Sequence, residues 1–154
     1  MKIVINSCYG GFSLSPQGLK EYARLNGREC YFFKGGLGST RQAIDMPKKG
    51  DMFWDAFTTS DIDEINKISN SNGWASMTKE QKDKFNDEYE KINLRHYEIS
   101  RTDKNLINVV ESMGSDASGA CASLRVVEIP DGINYEIDEY DGNETIRESH
   151  RTWG

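Results

Sequence analysis

The chain has 154 residues, enough for one domain that buries a core without metal or disulfide staples. Its 36% hydrophobic and 29% charged content is that of an ordinary globular protein, and no stretch approaches the ~20 apolar residues that would cross a bilayer. A net charge of -6 with no basic stripe argues against long nucleic acid as a partner, while a few local donors can still hold a small anion.

Cys8, Cys30 and Cys121 are odd in number and form no C-x-x-C pair, which argues against a disulfide framework or a structural zinc site and fits a reducing cytoplasm. The start Met1-Lys2-Ile3-Val4-Ile5 runs directly into an apolar strand without the length or cleavage site of a signal peptide, so the mature chain is expected to begin there.

Ile3 to Ile5 form a short continuous apolar run, the pattern of a strand buried on both faces. A helix follows, with Ser15 as N-cap, Pro16 at the first position, Leu19, Tyr22 and Ala23 on one face, and Gly27 at its end. Cys30 to Phe33 reads as a second buried strand. Strand, helix and strand together predict a right-handed βαβ-like unit with parallel strands, an antiparallel arrangement being the alternative.

Residues 34–93 are polar apart from an aromatic knot at Phe53, Trp54 and Phe57, and read as a variable helical insertion. One helix is expected after Ser60, carrying Ile62 and Ile65. A second is expected after Thr78, with a capping box to Gln81 and a stripe of Phe85, Tyr89 and Ile92 that packs on the core. Beyond Leu94 the pattern predicts a strand near His96 to Ser100, then a helix from about Asp103 to Met113 closed by Gly114. Leu106, Val109, Val110 and Met113 form its buried face. A strand from Leu124 to Ile129, a turn at Pro130-Asp131-Gly132 and a strand from Asn134 to Tyr140 read as a C-terminal hairpin; the tail Glu144 to Trp153 is a third strand or a short helix. The fold class is therefore α+β: one domain over 1–154, with a small mixed sheet and helices packed on it.

The segment Asn6-Ser7-Cys8-Tyr9-Gly10-Gly11-Phe12 lies between a buried strand and a helix N-terminus, where ligands bind in open sheets. Gly10 and Gly11 let backbone amides approach a ligand, and Tyr9 and Phe12 can stack on a flat ring; a tight turn with two core aromatics is the plainer alternative. Cys8 near a helix N-terminus has the setting of a nucleophile, although small buried cysteines are commoner and nothing places His96 or His150 beside it. Gly35 to Arg41 imitates a phosphate loop but lacks its lysine, which leaves Arg41 as a possible anion contact on a surface loop. Arg101, at a strand's end before the N-cap Asp103, either grips a phosphate or forms a surface ion pair.

Strict alternation after Tyr135 and Ile137 puts Glu139 on their apolar face, where a carboxylate needs a ligand or an arginine such as Arg147 or Arg151. Paired carboxylates also admit hydrolytic chemistry, with Glu139, Glu148 and His150 as the set for a phosphodiesterase or nucleoside hydrolase. His150, Arg151 and Trp153 gather a titratable ring, a cation and a large aromatic, with Trp153 expected to anchor the tail on the body or on a second subunit.

Several segments carry a resemblance to a family of small proteins encoded by phages and prophages. They are Met1-Lys2-Ile3-Val4-Ile5-Asn6, Cys8-Tyr9-Gly10-Gly11-Phe12, Leu14-Ser15, Arg101 with Asp103, Val109-Val110-Glu111, Val127-Glu128-Ile129-Pro130-Asp131, Ile137 with Glu139-Tyr140-Asp141-Gly142, and His150-Arg151 with Trp153. The chain also resembles the viral sponge proteins that sequester cyclic-nucleotide immune signals, as in evasion of CBASS. That resemblance implies a homodimer in the bacterial host cytoplasm that binds a cyclic oligonucleotide or cyclic ADP-ribose species without cleaving it, and without cofactor or metal. Asn6, Gly10 and Gly11 would meet polar edges and phosphate, Tyr9 and Phe12 would stack on a base, and Arg101 and Arg151 would neutralise charge, with Cys8, Glu139, His150 and Trp153 completing the site. A phage inhibitor of a host protein, acting by direct contact, is the further alternative.

Overall fold

The computed structural model describes residues 1–34, 41–48, 50, 51, 53–69 and 74–149. The glycine-rich stretch 35–40, and with it the expected phosphate-loop imitation, lies outside them, as do His150, Arg151 and Trp153.

The α+β class is borne out. The first strand, β1 (Lys2–Asn6), pairs antiparallel with β5 (Leu124–Glu128), Val4 opposite Val126. Helices α1 (Pro16–Leu25) and α4 (Lys104–Met113) close one main core, where Val4, Leu14, Leu19, Ala23, Leu106, Val109 and Val110 gather with Phe32 and Ala56. Ser15 caps α1 as expected: its hydroxyl accepts from the Gly18 amide at 3.0 Å, while its own amide donates to the Ala117 carbonyl at 2.8 Å. Asp103 caps α4 by accepting from Asn105 and Leu106, each at 2.9 Å.

The parallel βαβ-like unit is not formed. β2 (Tyr31–Lys34) sits in a separate antiparallel sheet between β3 (Gln42–Ile44) and β4 (Asp55–Phe57). The continuous apolar run at Ile3 to Ile5 reports burial on both faces, which does not require a parallel neighbour. The middle segment is likewise more than a helical insertion, since it supplies β3 and β4 as well as α2 (Ile62–Ser69) and α3 (Lys79–Ile92). The capping box on Thr78 and Gln81 is present, and Tyr89 and Ile92 pack on a second cluster of Phe33, Phe57 and Ile65. Residues His96–Glu98 form a 3-10 turn where a strand was expected; an Arg95–Glu98 ion pair of 2.7 Å spans it and the Ile99 amide closes it on the His96 carbonyl.

The C-terminal hairpin exists one turn later than its sequence signal. Pro130-Asp131-Gly132 connects β5 to β6 (Tyr135–Tyr140) without pairing them; β6 pairs instead with β7 (Asn143–Glu148) across Asp141-Gly142. Both turn residues have positive φ, 50° and 84°, the requirement of a type I′ hairpin. Among the described residues no helix is long and apolar enough to cross a membrane.

Candidate functional site

The outer edge of β1 exposes the amides of Val4 and Asn6, and long-range partners take both. Val4 donates to the Arg101 carbonyl and Asn6 to Glu144 Oε2, each at 2.8 Å. Arg101 Nη2 in turn donates to Glu144 Oε1 at 2.7 Å, which closes a ring of contacts around the strand edge. Glu144, only 6% exposed, is the buried carboxylate that alternation had assigned to Glu139. Glu139 is exposed and accepts from the Gly142 amide at 2.7 Å, while Arg147 pairs with the exposed Glu136 and Asp138.

Asn6 serves the fold. Its Nδ2 donates to the carbonyls of Cys8 at 2.7 Å and Gly142 at 2.6 Å, and its Oδ1 accepts from the Ser123 amide at 2.8 Å. A fully buried amide with both donors and its oxygen engaged has nothing left for a ligand. The Gly10-Gly11 cradle is also filled. Gly10 donates to the Asp141 carbonyl at 3.2 Å, and Gly142 lies so close over the loop that a Cβ placed on it would meet the Gly11 and Gly10 amides at 2.1 and 2.7 Å. The small glycines thus seat the hairpin turn rather than a phosphate, a correction to the expected roles of Asn6, Gly10 and Gly11.

Phe12 and Arg101 also engage each other: the guanidinium carbon stands 3.3 Å from the Phe12 ring centroid, while Arg101 Nη1 is buried without an acceptor among the described residues. Burial lowers the Arg101 pKa and Glu144 opposes that shift. Phe12 therefore carries a cation over its face where a stacked base was expected, and Arg101 is an internal ion pair. The half-buried Cys8 thiol lies 3.2 Å from the Cys121 carbonyl and 3.5 Å from Asn6 Oδ1, and among the described residues no imidazole bonds to it. Tyr9, 64% exposed, remains available. Glu139 and Glu148 are not brought together, because they pair with Glu144 and Tyr135 respectively; roughly 13 Å of strand separates them, beyond the ~5–9.5 Å of a glycosidase pair.

What the loop does border is a cleft of about 290 Å³, lined by Gly10, Ser13, Asp51, Trp54, His96 and Cys121 among others. Trp54 is held edge-on against Phe32, with ring centroids 5.4 Å apart, and donates its indole N–H to the Asp51 carbonyl at 3.0 Å. Its ring lies 6.4 Å from that of His96. Burial pushes the His96 pKa below the ordinary 6.5, so at neutral pH the ring is uncharged, with one nitrogen donating and the other accepting. Elsewhere in its lining, Gly119 donates to the Ser13 carbonyl at 2.9 Å and the neighbouring Ala120 and Cys121 are exposed. Trp54, His96 and Cys121 lie far apart in the chain, and no local pattern relates them to Gly10.

A larger cavity, about 500 Å³, lies beside α1 with Lys20, Arg24, Arg28, Cys30 and Met46 in its wall. Its arginines are engaged, Arg24 with Glu21 and Arg28 with the Lys91 carbonyl, and burial pushes the Cys30 thiol up to about 12. Comparison with protein-family models, with curated proteins and with solved structures finds no match.

Proposed function

We propose that this protein binds a small cyclic nucleotide and holds it without turning it over, in the cleft between the Gly10 loop and the Trp54–His96 pair. The carrying observation is a cleft of about 290 Å³ whose lining includes the Trp54 indole, the neutral His96 imidazole and the exposed residues Ala120 and Cys121. A base stacks on aromatic faces at about 1–3 kcal/mol each, and a ring with one donor and one acceptor reads base edges. Amide N–H groups bind phosphate oxygens without a net positive surface, which suits a chain of charge -6. The exposed Tyr9 ring, next in sequence to Gly10 of the cleft's lining, is a further stacking surface.

In the setting of the phage resemblance, such binding withdraws a messenger from a host defence effector such as that of CBASS. Isothermal titration with cyclic di- and trinucleotides and cyclic ADP-ribose species tests it. Heat is expected with at least one of them, and the molecule recovered after denaturing the complex should be intact. Silence across the panel removes the reading, and a cleaved product replaces sequestration with hydrolysis.

A further inference from the structure

Two of the three cysteines meet at the end of the β1–β5 ladder. Beyond the last paired residues, Asn6 and Leu124, the Ser7 amide donates to the Ser123 carbonyl at 2.8 Å and carries the contact one step further. Asn6 fastens both segments there, giving Nδ2 to the Cys8 carbonyl and accepting at Oδ1 from the Ser123 amide. Cys8 Sγ is thereby held 3.2 Å from the Cys121 carbonyl oxygen, across 113 positions of sequence. Covalent geometry fixes that oxygen about 2.4 Å from its own Cα, so the Cys8 sulfur lies within about 5.6 Å of the Cys121 Cα.

Gly10 marks the same approach from the other side. A Cβ placed on it would meet the Cys121 Cβ at 2.7 Å, so the Cys121 side chain leaves its backbone against the loop that carries Cys8. Cys121 is exposed and Cys8 half-buried. An exposed side chain exchanges staggered rotamers, and the Cys121 sulfur can turn towards that of Cys8. Cys30 is different: it packs in the main core, and burial pushes its thiol up to about 12.

From this geometry we infer that Cys8 and Cys121 form a reversible oxidation site, which a low-molecular-weight disulfide such as oxidised glutathione converts to an intramolecular disulfide. Cys121, the more exposed, attacks first. Its sulfur bonds to one glutathione sulfur, the S–S bond of the reagent breaks, and one reduced glutathione leaves with the Cys121 proton. Cys8 then attacks the Cys121 sulfur and expels the second reduced glutathione, which takes the Cys8 proton. Two protein thiols are oxidised and one reagent disulfide is reduced. A reducing compartment keeps the pair as thiols, so the site requires no disulfide framework in the resting protein. The bond joins the Gly10 loop to the turn before β5, and Gly10 and Cys121 both line the cleft of about 290 Å³.

The intact folded protein is incubated with oxidised glutathione, then denatured in iodoacetamide and read by intact mass and peptide mapping. The expected product has lost two hydrogens, carries its alkyl group on Cys30, and yields one peptide pair joined through Cys8 and Cys121; dithiothreitol restores the starting mass. Cys8→Ser should stop at a glutathione adduct on Cys121, at least about tenfold more abundant than in the parent chain, because no neighbouring thiol remains to displace it. An unreacted chain, a persistent adduct in the parent, a bridge through Cys30 or a bridge between two chains overturns the pairing. So does an adduct no more abundant in Cys8→Ser than in the parent. The parent chain decides by itself if that variant does not fold, and none of these readings depends on nucleotide binding.

Discussion

Asn6, Arg101 and Glu144 show how one edge of one strand recruits a charged pair. The Asn6 amide on the outer edge of β1 finds a carboxylate, and that carboxylate, nearly buried, requires a cation. Removing the carboxylate alone leaves Arg101 over Phe12 with its charge unmatched and Asn6 without an acceptor. Glu144→Ala should therefore cost about 3–5 kcal/mol in urea denaturation, whereas Arg101→Met with Glu144→Leu should recover most of that loss, because both charges leave together. A double variant no more stable than the single one would show that the Asn6 contact, rather than the ion pair, dominates. The site residues themselves were partly legible. Gly10 does border the cleft, but Asn6 and Phe12 have the right chemistry for a ligand and spend it internally, since donors and rings carry no label for their partner.

At the scale of elements, helices were read more reliably than strand pairings. Ser15-Pro16, Thr78 with Gln81, and Asp103 each mark a helix start within about four residues, and each cap is in place. Ser15 does more than cap, because its amide and hydroxyl both reach the 114–117 turn that follows α4 and so tie α1 to it. Ser15→Ala should lower stability by about 1–2 kcal/mol, at the upper end for a cap, and a thermal melt checks it. A loss below about 0.5 kcal/mol would mean that the backbone contact to Ala117 suffices. Strands offer no comparable local mark. Asp141-Gly142 and Pro130-Asp131-Gly132 are both turn signals, and only the first has the paired positive φ values that fold a strand back on its neighbour.

For the molecule as a whole, the middle segment is what completes the cleft. By adding β3 and β4 to β2 it builds a second sheet, and it brings Trp54 to the cleft beside the first loop, while His96 comes from the turn that follows it. The buried imidazole has a measurable consequence. Its folded pKa lies below its ordinary value, so below about pH 6.5 the unfolded chain takes up a proton that the folded one resists, and stability falls as pH falls through that window. His96→Phe should flatten the stability profile below about pH 6.5, read as urea midpoints; an unchanged slope would assign the acid sensitivity to other groups.

By itself the chain determined its α+β class, its capped helices, the burial of Ile3 to Ile5 and the glycine turn at Gly10 and Gly11, because burial patterns, caps and glycine turns are settled among neighbours a few residues apart. Tertiary structure alone decided that β1 lies beside β5, that Gly142 fills the glycine cradle, that Glu144 rather than Glu139 is buried, and that Trp54 and His96 face the loop. Those outcomes depend on which of several chemically equivalent partners packs closest. Such competition is resolved only when distant segments bury their surfaces together, and Asn6 and Ser123, 117 positions apart, meet on those terms.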